Sequence, residues 1–519
     1  MKILIIGSGM SGLTAGAYLA RAGHAVTIYE QFPTPGGVTA TVKQDGFGWD
    51  IGPLLLEGFA PGDKGRAILE ELGVSEQVPA LVADRLLSMP EFTLQPPQAY
   101  AGPLWRRERL KQLFPDESHA LERYYRFYER MIGLMSMGRR SETARGLEGL
   151  WLKVRMLLAF QTVKKYLHWN GGQLMDAYFK SPALKIFFLG IVADFVTAPS
   201  EFPALGVPSI HLETAFDKRI PTYPGTQSMQ TAYTYILGGC QKLVEAVMGV
   251  LLAHGGRVLT DTPVKRILIE AKHATGVELA DGRIEHADLV LASGGMKEVF
   301  FELVGSEHLP AELVSQIEAN RLMESVLMVQ LGVDLDPSPY QSAALCYYYK
   351  TQDLEGAVQR LRTGDYHEGK DGFLVYVPSM HSPELAPHGK YAVTIYTVAP
   401  DTLAEGNWSA RREELADKLV AEAEAHIPGL RAHTLTCLVL TPEDFRRRTH
   451  QKHHSFGGVP PVIGNQPPAH KTPIEGLWFI GAQSESTGGI LNVMVGAQKV
   501  ARLILNTKDT KGTTEESKT

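Results

Sequence analysis

The first residues able to do chemistry form a glycine-rich loop close to the start of the chain. Gly7-Ser8-Gly9-Met10-Ser11-Gly12 follows the apolar run Ile3 to Ile6 and precedes a helix-forming stretch, Leu13 to Ala22. A second apolar run, Ala25 to Tyr29, ends at Glu30. Strand, glycine turn, helix, strand and terminal acid make a βαβ unit suited to a dinucleotide. Gly7 permits the tight turn off the strand, Gly9 lets backbone approach a pyrophosphate, and Gly12 lets the helix pack on the strand. The helix start, where Met10 and Ser11 lie, offers unpaired N–H groups and a positive dipole end to phosphates. Glu30 suits ribose hydroxyls and disfavours a 2′-phosphate, so FAD or NAD is expected rather than NADP.

Further glycine turns recur along the chain. Gly36-Gly37 lies just past Glu30, and Asp50-Ile51-Gly52-Pro53 follows. A helix is expected over Cys240 to His254, then strands at Gly255 to Leu259 and Thr262 to Ile269, the latter including Val264. Asp281-Gly282 marks a hairpin turn. Ala287 to Ala292 reads as a buried strand ending at Ser293-Gly294. Near the end, Gly476 to Ala482, with Gly481, reads as a buried strand ending in Gly. A polar loop then leads through Gly489 into a helix from Ile490.

In order and spacing these pieces resemble the phytoene desaturase, carotenoid isomerase and retinol saturase group of FAD oxidoreductases, within the amine-oxidase superfamily. Gly36 to Thr41, Asp50 to Pro53, Leu237-Gly238-Gly239, Thr441 to Phe445, Ser455 to Gly458 and Trp478 to Gly489 carry the resemblance. It implies an α/β fold in which a Rossmann-like FAD-binding domain is interleaved with an α+β substrate-binding domain. The first would use 1–75, 225–300 and 441–506, and the second 76–224 and 301–440, leaving 507–519 as a disordered tail. By the same resemblance, Gly36 and Gly37 run along the cofactor and Gly52-Pro53 approaches the flavin. Val264 meets the adenine through its backbone, Ser293-Gly294 lies near the nucleotide, and Gly481, Gly489 and Ile490 serve the flavin's pyrimidine edge. The chain departs from the group at Thr487-Gly488-Gly489, where a Pro-Gly loop is usual. No Cys lies near that loop, so FAD is expected to be noncovalent.

Composition narrows the classes. A net charge of −6 gives no global field for nucleic acid. The three cysteines, Cys240, Cys346 and Cys437, are far apart, which argues against a disulfide framework or zinc site and suits a cytoplasmic setting. No metal site is expected.

Two segments bear on the substrate. Leu152, Met156, Ala159, Phe160, Val163 and Leu167 trace one helical face beside Lys153, Arg155, Lys164 and Lys165. This suits either a core helix or a basic amphipathic helix resting on the inner face of a membrane. Ile186 to Val196 is another apolar helix. Arg446-Arg447-Arg448 with His450, His453 and His454 reads as a solvated loop, with anionic lipid, substrate carboxylate or flavin phosphate as alternatives. Trp105 to Arg109 reads as a surface turn without a role. The expected reaction acts on C–C bonds of a long isoprenoid or polyene, by desaturation, cis-trans isomerisation or saturation. The expected partners are a lipophilic substrate, a membrane surface and an electron donor or acceptor (oxygen, a quinone or a reductase). Amine or porphyrinogen oxidation on the same fold is the alternative. No residue is assigned as catalytic acid or base; Asp50 is the nearest ionisable candidate to the inferred flavin and reads better as a turn residue.

Overall fold

The computed structural model describes residues 1–52, 54–194, 196–220 and 233–515. Pro53, Phe195 and the expected domain boundary at 224/225 lie outside them. A five-stranded parallel sheet runs in the order Arg257–Leu259, Ala25–Tyr29, Lys2–Ile6, Leu289–Ser293, Leu477–Ile480. In chain order that is third, second, first, fourth, fifth, the doubly wound arrangement in which ligands sit beyond the carboxyl ends of the strands.

The apolar runs follow from cover on both faces. Ile3 and Ile5 face a core shared with helices Met10–Arg21, Gln241–Ala253 and Ile490–Glu515. Leu4 and Ile6 face the opposite core, built with Ile267, Val277 and Phe300. Each such buried side chain contributes about 1.5–3 kcal/mol. Strands Val264–Glu270, His273–Leu279 and Ile284–His286 form the antiparallel sheet on that side, turning at Asp281-Gly282 with Gly282 at φ +88°. The final helix, Ile490–Glu515, runs into the segment 507–519.

A seven-stranded sheet is ordered Thr434–Leu440, Ser325–Val333, Tyr391–Ala399, Gly372–Tyr376, Leu345–Tyr349, Arg85–Ser88, Thr93–Leu94. One face packs on helix Trp408–Glu424. Across the other face, Met328, Tyr396, Leu374, Tyr347 and Leu87 lie opposite one another in register. Beyond that edge stand helices Trp105–Leu113, Ser118–Thr143, Gly146–Gln161, Gly171–Tyr178 and Pro182–Ala193, around an aromatic core including Tyr124, Tyr125, Phe179, Phe187 and Phe188.

Candidate functional site

The glycine loop closes at the carboxyl ends of the parallel strands. Gly7 (φ +90°) donates its N–H to Tyr29 O at 2.8 Å, and a Cβ there would meet Ser293 O at 2.9 Å. A Cβ at Gly12 would stand 2.1 Å from Gly7 O, so the helix lies directly on the turn. Gly9 differs: a Cβ there would meet nothing within 4 Å, and no side chain caps the helix that starts beside it. This bare, uncapped helix start fits a phosphate group. Gly9 pairs as a bridge with Gly36, whose N–H donates to Ser8 O at 3.0 Å. Gly37 (φ +60°) comes within 3.5 Å of Gly9 Cα, measured to its own ideal Cβ.

Glu30 is buried and ties the loop together. Its Oε2 accepts from Ser8 N–H at 2.8 Å and from Ser8 Oγ at 2.6 Å, and its Oε1 accepts from Phe32 N–H at 2.8 Å. Its backbone carbonyl accepts from Thr262 N–H at 2.8 Å, which brings the start of strand Val264–Glu270 alongside. Ser11 Oγ and Ser293 Oγ are 2.9 Å apart, and a Cβ on Gly481 would meet Ser293 Oγ at 3.2 Å and Ser11 Oγ at 3.4 Å. Three stretches distant in sequence, 7–12, 293–294 and 481, therefore meet at one point.

The remaining candidates lie around this centre. Gly52 packs against the segment after Gly37: a Cβ on it would meet Val38 O at 2.1 Å. Gly489 (φ +99°) and Ile490 start the final helix, whose Leu491 fills the space against Gly58. Asp50 has no exposure, and its Oδ1 accepts from Thr41 Oγ1 at 2.6 Å and Cys240 N–H at 2.9 Å. Burial pushes its carboxyl up to about 6. These contacts tie strand Phe47–Asp50 to the start of helix Gln241–Ala253.

Two charged segments differ from their expected form. Arg446-Arg447-Arg448 is not a solvated loop but part of helix Pro442–Thr449, started by Pro442 and a Thr441–Asp444 capping box. Arg446 pairs with Asp401 at 2.7 Å, Arg447 pairs with Asp444 at 2.6 Å, and Arg448 donates to Gly37 O at 2.5 Å. His454 is buried against Phe445, and burial first, then the neighbouring His453, pushes its imidazole down to about 3. Trp105 to Arg109 is not a surface turn: Arg106 is 1 % exposed, 3.4 Å from Glu213 Oε1 and 3.1 Å from His211 Nδ1. Its partners lie some hundred residues downstream, so the local run of charges gave no sign of them.

A cavity missed in the sequence opens on the second sheet. Tyr347, Tyr349, Leu374 and Tyr396 line it from the strands, Leu354, Val358 and Leu361 from helix Leu354–Arg362, and Asp194 from the end of helix Pro182–Ala193. Leu374 and Tyr396 belong to the apolar cluster that also holds Ala40, Ile51 and Leu54, so the cavity wall and the Asp50–Gly52 turn share one packed layer. Tyr349 Oη donates to Asp194 Oδ2 at 3.3 Å. Burial raises the Asp194 carboxyl to about 7, partly opposed by the Arg85 charge. Arg85 is itself buried, its guanidinium 4.2 Å above the Phe216 ring and 4.6 Å above Tyr233. A lone Asp between apolar helices carries no motif, so only its tertiary setting distinguishes it.

Residues 10–505 match the family described as flavin containing amine oxidoreductase. The chain belongs to that family. This flavin oxidoreductase therefore takes FAD, and the uncapped helix start at Gly9 leaves open space of the kind a phosphate group needs. It is 25 % identical over 508 residues to prolycopene isomerase 1, chloroplastic, of an Oncidium hybrid cultivar, covering 94 % of this chain and 81 % of the relative. It is 24 % identical over 522 residues to the lycopene-forming phytoene desaturase of Paracoccus sp., covering 97 % of each. Among solved structures, an oxidoreductase from Methanosarcina mazei superposes with a TM-score of 0.63 at 20 % identity, over 97 % of this chain and all of that one. That likeness concerns the fold.

Proposed function

We propose that this flavin oxidoreductase acts on C–C bonds of a long apolar isoprenoid or polyene, by desaturation, cis-trans isomerisation or saturation. The observation that carries the reading is the aromatic and apolar wall of Tyr347, Leu374 and Tyr396 on the second sheet, packed in one layer with the Asp50–Gly52 turn. The names of the two relatives support it. Bound FAD supplies two-electron exchange with the substrate. The protein's part is to hold an apolar chain in one orientation and keep water away, which converts binding into rate. Gly7 to Gly12, Glu30, Gly36-Gly37, Gly52, Val264, Ser293-Gly294, Gly481, Gly489 and Ile490 are proposed to hold the cofactor. Electrons would pass to or from oxygen, a quinone or a separate reductase.

Helix Gly146–Gln161 suits a substrate that dissolves in lipid. The stripe Leu152 to Leu167 faces two ways: Leu152 and Val163 are buried, whereas Phe160 and Leu167 are exposed. The same helix carries a second apolar face. Leu147 is 86 % exposed, and Leu150, Trp151, Val154, Leu157 and Leu158 are between 49 % and 64 % exposed. Their spacing places them on one stripe. Exposed Lys153, Arg155, Lys164 and Lys165 flank it, with Arg155 4.6 Å above the Trp151 ring. We read this face as a docking surface for an anionic bilayer. Among the described residues, no helix is long and apolar enough to cross a membrane.

The test is anaerobic incubation of the flavin-loaded protein, oxidised and reduced, with phytoene, a poly-cis carotene and retinol. Product mass and chromatographic retention together separate desaturation, isomerisation and saturation. If all three substrates come back unchanged while an amine or a porphyrinogen bleaches the flavin, the polyene reading falls and the alternative stands.

A further inference from the structure

The glycine cradle lacks a positive charge of its own. Between Lys2 and Lys43 the only Lys or Arg is Arg21, which donates to Glu71 O at the far end of its helix. Lys2 pairs with Glu285 at 2.9 Å. The ionisable side chain that the segment itself buries against the loop is that of Glu30. A pyrophosphate approaching Gly9 therefore meets backbone N–H groups and a nearby negative charge. Dipole attraction at a helix start is modest and local, and a dianion beside Glu30 calls for a counter-charge.

We propose that Arg448, which reaches this loop from the far end of the sequence, supplies that counter-charge and is a cofactor-positioning residue for the FAD pyrophosphate. Its Nε donates to Gly37 O at 2.5 Å, and its guanidinium lies 4.7 Å above the Phe32 ring. The next residue, Thr449, accepts at its carbonyl from Gln31 Nε2 at 3.1 Å. Helix Pro442–Thr449 thus grips both ends of the segment 31–37. Its capping box and the Arg446–Asp401 pair fix the helix independently of that grip. Among the described residues, Arg446 and Arg447 each have an ion pair and Arg448 has none. Half-buried, with burial pulling its pKa down and Glu30 pulling it up, it is a cation held at Gly37, which packs on Gly9 where a Cβ would meet nothing within 4 Å. Guanidinium groups suit phosphate oxygens through paired N–H donors. The inference rests on family membership alone and is independent of the polyene reading.

The experiment measures FAD release from the holoprotein by flavin fluorescence on dilution, at low and high salt, for wild type, R448Q, R448M and R448K. Arg448→Gln keeps an N–H donor for Gly37 O, and Arg448→Met keeps the apolar stem over Phe32; neither keeps the charge. Both are expected to bind FAD about ten- to a hundredfold more weakly, with a flatter salt dependence. Arg448→Lys recovers most of the salt dependence and part of the affinity. Displacement of FAD by ADP should weaken in the neutral variants while displacement by adenosine does not change. Wild-type affinity and salt dependence in either neutral variant would overturn the proposal. So would equal losses for ADP and adenosine, since that pattern belongs to a loop deformed rather than a charge removed.

Discussion

Replacing Leu150 and Leu157 together by Glu tests the proposed membrane-docking face of helix Gly146–Gln161 most directly. Both side chains are 62 % exposed, so the fold draws little from them. Transfer of a whole Leu side chain from water to an apolar phase is worth about 1.5–3 kcal/mol. With roughly six-tenths still available, each contributes about 1–2 kcal/mol on entering a bilayer. Losing both removes about 2–4 kcal/mol, and the new carboxylates are repelled by anionic lipid. Partitioning onto phosphatidylglycerol-containing vesicles should therefore fall at least about thirtyfold, as read by vesicle co-sedimentation. Thermal stability should stay near wild type, as for substitutions at exposed sites. Leu152→Glu on the opposite face supplies the contrast: Leu152 is 1 % exposed, and a buried unpaired carboxylate there should lower stability by several kcal/mol. Undiminished vesicle binding by L150E/L157E would refute the assignment. Sedimentation showing a wild-type dimer that the double substitution dissociates would give the face to a second copy of the chain.

Three further outcomes follow from the geometry. Gly9→Val should fold normally, because a Cβ meets nothing there and the backbone is extended at φ −62°, yet purify without flavin colour; Gly12→Val should instead lose stability, because its Cβ would collide with Gly7 O. Asp194 holds its proton up to about pH 7, above the range of an unfolded Asp. Its protonation therefore favours the fold at low pH, and that contribution is lost as pH rises through about 7. Asp194→Asn should flatten the difference in urea midpoint between pH 5 and pH 8, and a variant with the wild-type difference would contradict this. Arg106→Met leaves Glu213 buried without its cation and should cost about 3–5 kcal/mol in chemical denaturation; a loss below about 1 kcal/mol would show the pair to be dispensable.

What could be read from the sequence was local or periodic. The parallel sheet was legible because Ile3 to Ile6 and Leu289 to Ala292 are apolar on both faces, and only a doubly covered strand requires that. The glycine loop was legible because its glycines stand at a fixed local spacing between strand and helix, and Gly12 answers a steric demand of the turn itself, against Gly7 O. Burial of charge was not legible. Arg106 sits in Trp105-Arg106-Arg107-Glu108-Arg109, a run whose polarity suits solvent, and it is buried only because His211 and Glu213 arrive from another helix layer. The Leu152 stripe failed differently. Periodicity shows that a helix has an apolar face, but Gly146–Gln161 has two, and which one is covered depends on neighbours that periodicity cannot name.

The same limit explains why cofactor and substrate were unequally readable. Phosphate binding uses backbone, so its requirements are written as glycines at fixed spacing. The proposed substrate wall is assembled from Tyr347, Leu374 and Tyr396 on three strands and Asp194 on a helix end. No two of these are constrained by a common local turn, so they can vary without disturbing the sheet that carries them. A family with one cofactor cradle and such a wall can change substrate by changing a few inward side chains. Substitutions at Tyr347 and Tyr396 should accordingly alter which polyene is taken while leaving the flavin spectrum unchanged. A shifted flavin spectrum in either variant would mean that wall and cofactor are not separable, and that the substrate surface is part of the cradle itself.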